Sequence, residues 1–203
     1  MKVAIIDYGL SNSNSVLNMI KWIGVDGIIT SNVGEIQKAT HLILPGVGAF
    51  DSGMENLEKS NLIDILNEEV LVNKKPIMGI CLGMQLLLNG SEEGAKKGLG
   101  WIEGSSRKFI LKNKDLKIPH MGWNYINFQK EDAALNSLEG SKFYFVHSYF
   151  VEVKKENILT TTKYGEDFVS GIRKENIYGF QFHPEKSHKY GMQLFENFLG
   201  IKS

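Results

Sequence analysis

One stretch organises the whole chain: Pro76-Ile77-Met78-Gly79-Ile80-Cys81-Leu82-Gly83-Met84-Gln85-Leu86-Leu87-Leu88. Its apolar beginning, 77–80, is typical of a buried strand, and 84–88 suits the first turns of a helix. Cys81 lies between them, with Gly79 and Gly83 on either side. Small neighbours permit the tight strand-to-helix turn that exposes a nucleophile, and a helix start favours the thiolate. The stretch predicts a reactive cysteine, although a lone cysteine in an apolar segment is more often a buried hydrophobic residue.

The composition of the chain limits the number of domains, the kinds of partner and the cellular compartment that can be expected. A length of 203 residues suits one domain with a sizeable core. The 23 basic and 23 acidic residues balance, so nothing indicates a nucleic-acid or membrane-surface partner. No apolar run approaches the roughly 20 residues of a membrane span, and the N-terminus lacks a signal-peptide layout. A single cysteine cannot form an internal disulfide, which favours the reducing cytoplasm.

Metals and cofactors are not expected. The spacing of cysteine, histidine and aspartate residues matches no metal site. Four scattered histidines are therefore interpreted as structural or surface residues: His41, His120, His147 and His188.

The order of predicted elements indicates the fold class. The first half alternates strands with helices, which is typical of a parallel sheet covered on both faces. Its strands are predicted at 3–7, 28–30 and 41–44, the last ended by Pro45, and its helices at 13–23, 33–39, 51–59 and 62–72. From Leu99 the connections are too short for crossover helices, so antiparallel strands are expected. These are predicted at 107–111, 125–128, 143–150, 158–162, 168–173 and 178–183, with an irregular segment at 119–124 and a closing helix at 191–199. The expected architecture is a single α/β domain over 1–203, with a mixed, mostly parallel central sheet and flanking helices.

A glycine-rich loop, Pro45-Gly46-Val47-Gly48-Ala49-Phe50, follows the third predicted strand. Sites in open α/β sheets lie at the carboxyl ends of the strands, and both this loop and Cys81 are at such ends. We therefore expect a backbone N–H from Gly46, Val47 or Gly48 to join the N–H of Leu82 in holding an oxyanion. Read alone, the loop would be an ordinary glycine turn.

The segment Gln181-Phe182-His183-Pro184-Glu185-Lys186-Ser187 offers a base for the cysteine. His183 is predicted to end a strand, and the turn at Pro184 brings Glu185 back toward the imidazole. A carboxylate on one ring nitrogen fixes the tautomer and leaves the other nitrogen free to take a thiol proton. The sequence therefore predicts a catalytic triad of Cys81, His183 and Glu185.

With these motifs the chain resembles class I (triad) glutamine amidotransferases, and among them the glutaminase subunit of imidazole glycerol phosphate synthase. The segment around Cys81, 79–85, and the His183-Pro184-Glu185 segment resemble the whole class. Other segments resemble that subunit more specifically: Asp7-Tyr8-Gly9, Pro119-His120-Met121-Gly122-Trp123-Asn124 and Phe143-Tyr144-Phe145-Val146-His147-Ser148-Tyr149. The resemblance spans nearly the whole chain.

The resemblance implies hydrolysis of L-glutamine through a thioester on Cys81, with His183 as base and acid and Glu185 orienting it. It further implies that Gln85, Ser148 and Tyr149 line the glutamine pocket. The ammonia would pass to a cyclase subunit in L-histidine biosynthesis, in a heterodimer, with Trp123, Tyr144 and Lys186 near that partner. No cofactor is implied, and activity is expected to be low until the cyclase binds its own substrate.

Three segments depart from the family pattern, and they concern the partner rather than the triad. They are Ser11-Asn12-Ser13-Asn14-Ser15, Gly98-Leu99-Gly100-Trp101-Ile102-Glu103-Gly104 and Ser187-His188-Lys189-Tyr190-Gly191. The last resembles paralogues that supply ammonia to a sugar-amidating enzyme, which is the alternative function. A docking subunit without catalysis, and a thiol hydrolase of the peptidase or γ-glutamyl hydrolase type, are further alternatives.

Overall fold

The computed structural model describes residues 1–10 and 12–201. Ser11, the first residue of one departing segment, lies outside the described residues, as do Lys202 and Ser203. The strands are β1 (Lys2–Ile6), β2 (Asp26–Thr30), β3 (His41–Gly46), β4 (Ile77–Cys81), β5 (Gly90–Ser91), β6 (Gly104–Lys108), β7 (His120–Tyr125), β8 (Asn127–Phe128), β9 (Lys142–His147), β10 (Tyr149–Val153), β11 (Ile158–Tyr164), β12 (Glu166–Lys174) and β13 (Ile177–Phe180). The helices are α1 (Ser13–Trp22), α2 (Val33–Lys38), α3 (Phe50–Lys59), α4 (Ile63–Asn67), which a π-helical turn (Glu68–Val72) extends, α5 (Leu82–Leu86) and α6 (His188–Leu199).

The central sheet is mixed. Strands β2, β1, β3, β4 and β13 lie side by side in that order and run parallel. The sheet continues antiparallel through β12, β10 and β6, with β5 parallel to β6 at the edge. Strand β11 pairs with β12 and β8, while β7 and β9 form a separate antiparallel pair. The predicted α/β fold with a mixed sheet and flanking helices is confirmed.

Hydrophobic cores cover both faces of the parallel strands. Alternation along β1 places Val3 and Ile5 in one core and Ala4 and Ile6 in the other. The first core also holds apolar residues of α1 and α6, and the second those of α3 and α4. Within the described part of the chain, no helix is long and apolar enough to cross a membrane.

The predicted end of the third strand at Pro45 is wrong, because β3 continues to Gly46. The Pro45 carbonyl accepts a hydrogen bond from the Tyr8 hydroxyl at 2.8 Å. The backbone hydrogen-bonding positions of Pro45 therefore face the β1 side of β3 and not β4. On that side the pairing of β3 with β1 ends at Ile43. The missing N–H of Pro45 therefore removes no hydrogen bond between β3 and β1.

Three expectations for the second half also need correction. The segment 119–124 is not irregular, since His120–Tyr125 forms β7 against β9. The strand predicted at 143–150 is broken at Ser148 into β9 and β10. His183 lies beyond the end of β13 at Phe180 and forms an isolated bridge with Tyr144. These pairings join segments distant in sequence, which local patterns do not reveal.

Candidate active site

Cys81 occupies a strained turn between β4 and α5. Its φ of 54° and ψ of −110° are unusual for a residue with a side chain. Its flanking glycines are required by close backbone contacts. A Cβ atom on Gly83 would lie 1.8 Å from the Leu44 carbonyl oxygen, and one on Gly79 would lie 2.7 Å from the Gly83 carbonyl oxygen. The strand–turn–helix geometry predicted for this stretch is therefore present.

The sulfur of Cys81 is almost buried, with 8% of the residue exposed. Gln181 donates a hydrogen bond from Nε2 to the sulfur at 3.7 Å, and the Val146 carbonyl lies 3.9 Å away. Gln181 in turn accepts a bond from Gln85 Nε2 at 3.0 Å. A short chain of hydrogen bonds from Gln85 through Gln181 thus reaches the sulfur.

His183 and Glu185 form a buried pair beside the sulfur. Nδ1 of His183 lies 2.8 Å from Oε1 of Glu185, and both side chains are only 2% exposed. The backbone N–H of His183 donates to the Tyr144 carbonyl at 2.8 Å, and the Ser187 hydroxyl donates to the backbone carbonyl of His183 at 2.6 Å. Side chain and backbone together hold the ring in one orientation.

The pKa of His183 reflects this setting. Burial lowers it, but hydrogen bonding to Cys81 and to Glu185 outweighs burial and raises the pKa to about 10. Nε2 has no partner with standard hydrogen-bond geometry among the described residues, yet the Cys81 sulfur is close enough to raise the pKa of the ring. The arrangement therefore favours the charged imidazolium form of His183.

A cavity of about 340 Å³ opens above the sulfur. Cys81 and His183 line it, together with other residues predicted for the site: Val47, Gly48, Leu82, Gln85, Ser148, Tyr149 and Lys186. Gly46 lies just outside, paired in register with Cys81 at the ends of β3 and β4. Glu185 lies behind His183 rather than in the cavity wall. The structure therefore brings the predicted nucleophile, base, loop and pocket residues to one edge of the sheet.

The loop after β3 is held by the segment after β1. Val47 donates its N–H to the Leu10 carbonyl at 3.3 Å, while Tyr8 holds the Pro45 carbonyl. Gly48 has a φ of 100°, and its N–H has no acceptor within the described chain. Leu82 is the first residue of α5, where an N–H has no partner inside the helix. In this conformation Gly48 and Leu82 are the available donors, and Val47 is not.

The residues predicted to contact a partner form one surface cluster beside the cavity. Trp123 pairs in register with Tyr144, and their rings meet edge to face at 6.1 Å. Lys186 places Nζ 5.8 Å from the centre of the Tyr144 ring. Trp123 also stacks on His188 and is 45% exposed, and its neighbours along one face of β7, Met121 and Tyr125, are exposed too. An exposed apolar stripe of this kind is typical of a protein interface.

Comparison with known proteins identifies the family. The model of the family "Glutamine amidotransferase class-I" matches residues 4–201. The chain belongs to this family. It is 59% identical over 199 residues to imidazole glycerol phosphate synthase subunit HisH 2 of Methanococcus maripaludis, covering 97% of this chain and 98% of that protein. It is 50% identical over 201 residues to the subunit HisH 2 of Pseudomonas aeruginosa, covering 98% and 99%.

The fold of this amidotransferase recurs in distant solved structures. The structure of PurLQS from Thermotoga maritima aligns with a TM-score of 0.73 at 18% identity, covering 98% of this chain and 97% of that chain. At such identity the likeness shows the fold alone. The family recognised from the motifs, and with it the enzyme class, is confirmed.

Three residues of this amidotransferase site escaped sequence reasoning: Gln181, Glu93 and His147. Gln181 bonds to the sulfur, and its place two residues before His183 was the available signal. Glu93 lines the cavity and accepts a hydrogen bond from the Phe50 backbone N–H at 2.9 Å. His147 lines the cavity with both ring nitrogens bonded. No group of three or more potential metal ligands occurs in the part of the chain that the structure describes.

Proposed function

We propose that this chain is the glutaminase subunit of an imidazole glycerol phosphate synthase, hydrolysing L-glutamine to L-glutamate and ammonia for L-histidine biosynthesis. The observation that carries the proposal is Cys81 on its strained turn beside the His183–Glu185 pair, at the floor of a cavity. The 59% identity to the subunit of Methanococcus maripaludis supports the same assignment.

The first half-reaction releases ammonia. The Cys81 thiolate attacks the side-chain amide carbon of glutamine, and the carbonyl oxygen becomes an oxyanion. His183, charged because it has taken the Cys81 thiol proton at Nε2, gives that proton to the amide nitrogen. The C–N bond breaks, ammonia leaves, and a γ-glutamyl thioester remains on Cys81. His183 is then neutral, with Glu185 holding its Nδ1–H.

The second half-reaction releases glutamate. Neutral His183 takes a proton from water at Nε2, and the hydroxide attacks the thioester carbon. The C–S bond breaks, glutamate leaves, and the thiolate and imidazolium are restored. One water is consumed, and Glu185 stabilises the charged ring at both ends of the cycle.

Backbone donors would stabilise the two oxyanions. We assign this role to the N–H groups of Leu82 and Gly48, since that of Val47 is donated to Leu10. Val47 or Gly46 would contribute only after the loop changed its conformation. We assign glutamine binding to Gln85, Ser148 and Tyr149, which line the same cavity as this loop.

The partner is a (β/α)8-barrel cyclase subunit that receives the ammonia. Trp123, Tyr144 and Lys186 would contact it, because their cluster is exposed and adjoins the cavity mouth. Residues 1–203 would form one glutamine amidotransferase domain in this heterodimer, in accord with a family match over 4–201. The lone free thiol suits the cytoplasm.

Glutamate release from glutamine tests the proposal. The purified chain is assayed alone and with a cyclase subunit from the same source plus its ligand, beside Cys81→Ala. Turnover that requires both Cys81 and the cyclase is the expected result. Turnover indifferent to the cyclase would instead favour a sugar-amidating acceptor, and no turnover at all would favour a docking subunit.

Binding to the cyclase tests the interface. Trp123→Ala is expected to weaken the complex by roughly tenfold or more, as for a central aromatic anchor. Val72→Ala is the matched control, because Val72 is 73% exposed and lies near the start of β4, at the opposite end of the sheet from Cys81. Equal affinities of the two variants would contradict the proposed interface.

A further inference from the structure

A second histidine, His147, lines the cavity but differs from His183 in its bonding. Its Nδ1 lies 2.7 Å from the Tyr149 carbonyl oxygen, and its Nε2 lies 3.0 Å from Nδ1 of His120. His147 and His120 are both buried. With neither nitrogen of its ring free, His147 has no site to offer a substrate or a reacting proton.

The protonation of this pair follows from the partners at its two ends. A carbonyl oxygen only accepts, so Nδ1 of His147 carries hydrogen and donates to Tyr149. At the other end, Asn124 donates from Nδ2 to Nε2 of His120 at 3.3 Å. The Asn124 amide is oriented by two further bonds, to the Lys163 carbonyl and from the Tyr125 N–H. Nε2 of His120 is therefore an acceptor.

One assignment satisfies every bond: both rings are neutral, and each carries its hydrogen on Nδ1. His120 then donates from Nδ1 to Nε2 of His147, and all bonds run in one direction from Asn124 to Tyr149. A proton added to His147 would set two N–H groups against each other. Burial also lowers the pKa of both rings, which agrees with the neutral form.

The rings have little room to turn. His120 stacks on Tyr164 at 4.0 Å and on Phe145 at 4.9 Å between centroids. His147 packs against Phe168 at 5.1 Å and Phe109 at 5.3 Å. The hydrogen bonds thus have fixed geometry on both sides of the pair.

The pair acts on the break between β9 and β10. The break lies at Ser148, and His147 bonds across it to the carbonyl two residues ahead. Gln85 Nε2 lies 3.5 Å from the same Tyr149 carbonyl oxygen. Because Ser148 and Tyr149 line the cavity, the shape of this break sets where they meet a substrate.

We propose that His147, oriented by His120, is a positioning residue that fixes the Ser148–Tyr149 segment for substrate binding. The inference deepens the proposed function and rests on it for the identity of the substrate. Since β7 carries His120, Asn124 and the exposed Trp123, the same bonds join the partner-facing strand to the pocket.

The tautomers provide a test independent of turnover. Long-range proton–nitrogen correlation spectra of the whole chain, with labelled histidine, report which ring nitrogen carries hydrogen. His147 and His120 are expected to be neutral with hydrogen on Nδ1. Hydrogen on Nε2 of either ring, or a charged ring at neutral pH, would overturn the proposal.

Paired variants test the positioning role in the cyclase complex. In His147→Asn the amide nitrogen is as many bonds from Cα as Nδ1, so the bond to Tyr149 is retained. In His147→Gln the amide nitrogen matches Nε2 instead, so that bond is lost. The loss of one hydrogen bond predicts a KM for glutamine raised roughly five- to tenfold in His147→Gln, with kcat nearly unchanged. His147→Asn is expected to stay within roughly threefold of wild type.

The outcomes separate the two proposals. Equal KM values for His147→Gln and wild type, in folded protein, would overturn the positioning role. A loss in kcat rather than KM would overturn it too, since it would place His147 in the chemical steps. Absence of glutamine turnover by wild type would instead overturn the proposed function, and the tautomer measurement would still decide the pairing.

Discussion

Nδ1 of His183 lies 2.8 Å from Oε1 of Glu185, although only Pro184 separates the two residues. A single 3-10 turn, Pro184–Lys186, folds the carboxylate back onto the ring. Oε2 of Glu185 is buried without a hydrogen-bond partner in the described structure. The buried charge therefore acts mainly on His183.

Replacing the Glu185 carboxylate should slow glutamine hydrolysis. Glu185→Gln keeps the shape but no longer stabilises the imidazolium, so kcat should fall roughly 100-fold with KM little changed. Steady-state glutamate release in the cyclase complex measures both constants. Glu175→Gln is the control, because Glu175 is an exposed partner of Lys74 at the other end of the sheet. Similar kcat values for the two variants would rule out a role for Glu185.

The charge state of His183 is directly measurable. Because Cys81 and Glu185 raise its pKa to about 10, its ring should remain protonated well above pH 6.5 in wild type. In Cys81→Ala the sulfur that helps to raise the pKa of His183 is lost, so this pKa should fall. Carbon-labelled histidine titrated by NMR reports both values. A wild-type ring that titrates near 6.5 would contradict the effect of Cys81 and Glu185 on the pKa of His183.

The buried histidine pair predicts the acid dependence of stability. Burial lowers the pKa of His120 to about 4 and that of His147 to about 3 from the ordinary 6.5. Between these lowered pKa values and 6.5, the unfolded chain binds more protons than the folded chain. The free energy of unfolding therefore falls as the pH drops from 6.5. His147→Asn removes one of these groups and should lose less stability over that interval. Urea denaturation of both proteins measures the difference, and parallel pH dependences would contradict it.

The turn at Cys81 predicts a steric limit. Gly83→Ala would place a Cβ 1.8 Å from the Leu44 carbonyl, so it should destabilise the fold by about 3 kcal/mol and abolish turnover. Gly90→Ala is the control, since its Cβ would meet nothing closer than 3.8 Å. Urea denaturation and glutamate release are measured on both. Normal turnover by Gly83→Ala would mean that the turn is not as tight as described.

Much of the site was predictable because its signals are local. The turn at Cys81 needs glycines beside it in sequence, and the carboxylate of Glu185 returns to His183 within one turn. The loop at Gly46–Gly48 was predictable because successive parallel strands end at the same edge. Each of these inferences uses neighbours in the chain or the topology of the sheet.

What the sequence did not reveal depends on contacts between distant segments. His120 and His147 are 27 residues apart and become partners only through the pairing of β7 with β9. The same pairing makes 119–124 a strand, although its composition resembled a loop. The bond from Val47 to Leu10 likewise joins two loops, so the sequence predicted an oxyanion loop without its conformation.

The most direct test of the account is the covalent intermediate on Cys81. The cyclase complex is mixed with isotopically labelled glutamine, quenched in acid during turnover, and this chain is measured by intact mass and peptide mapping. The account predicts a labelled glutamyl group on Cys81, none on Cys81→Ala, and none from a peptide substrate. A wild-type chain that turns over glutamine without this adduct, or carries it on another residue, would contradict the account.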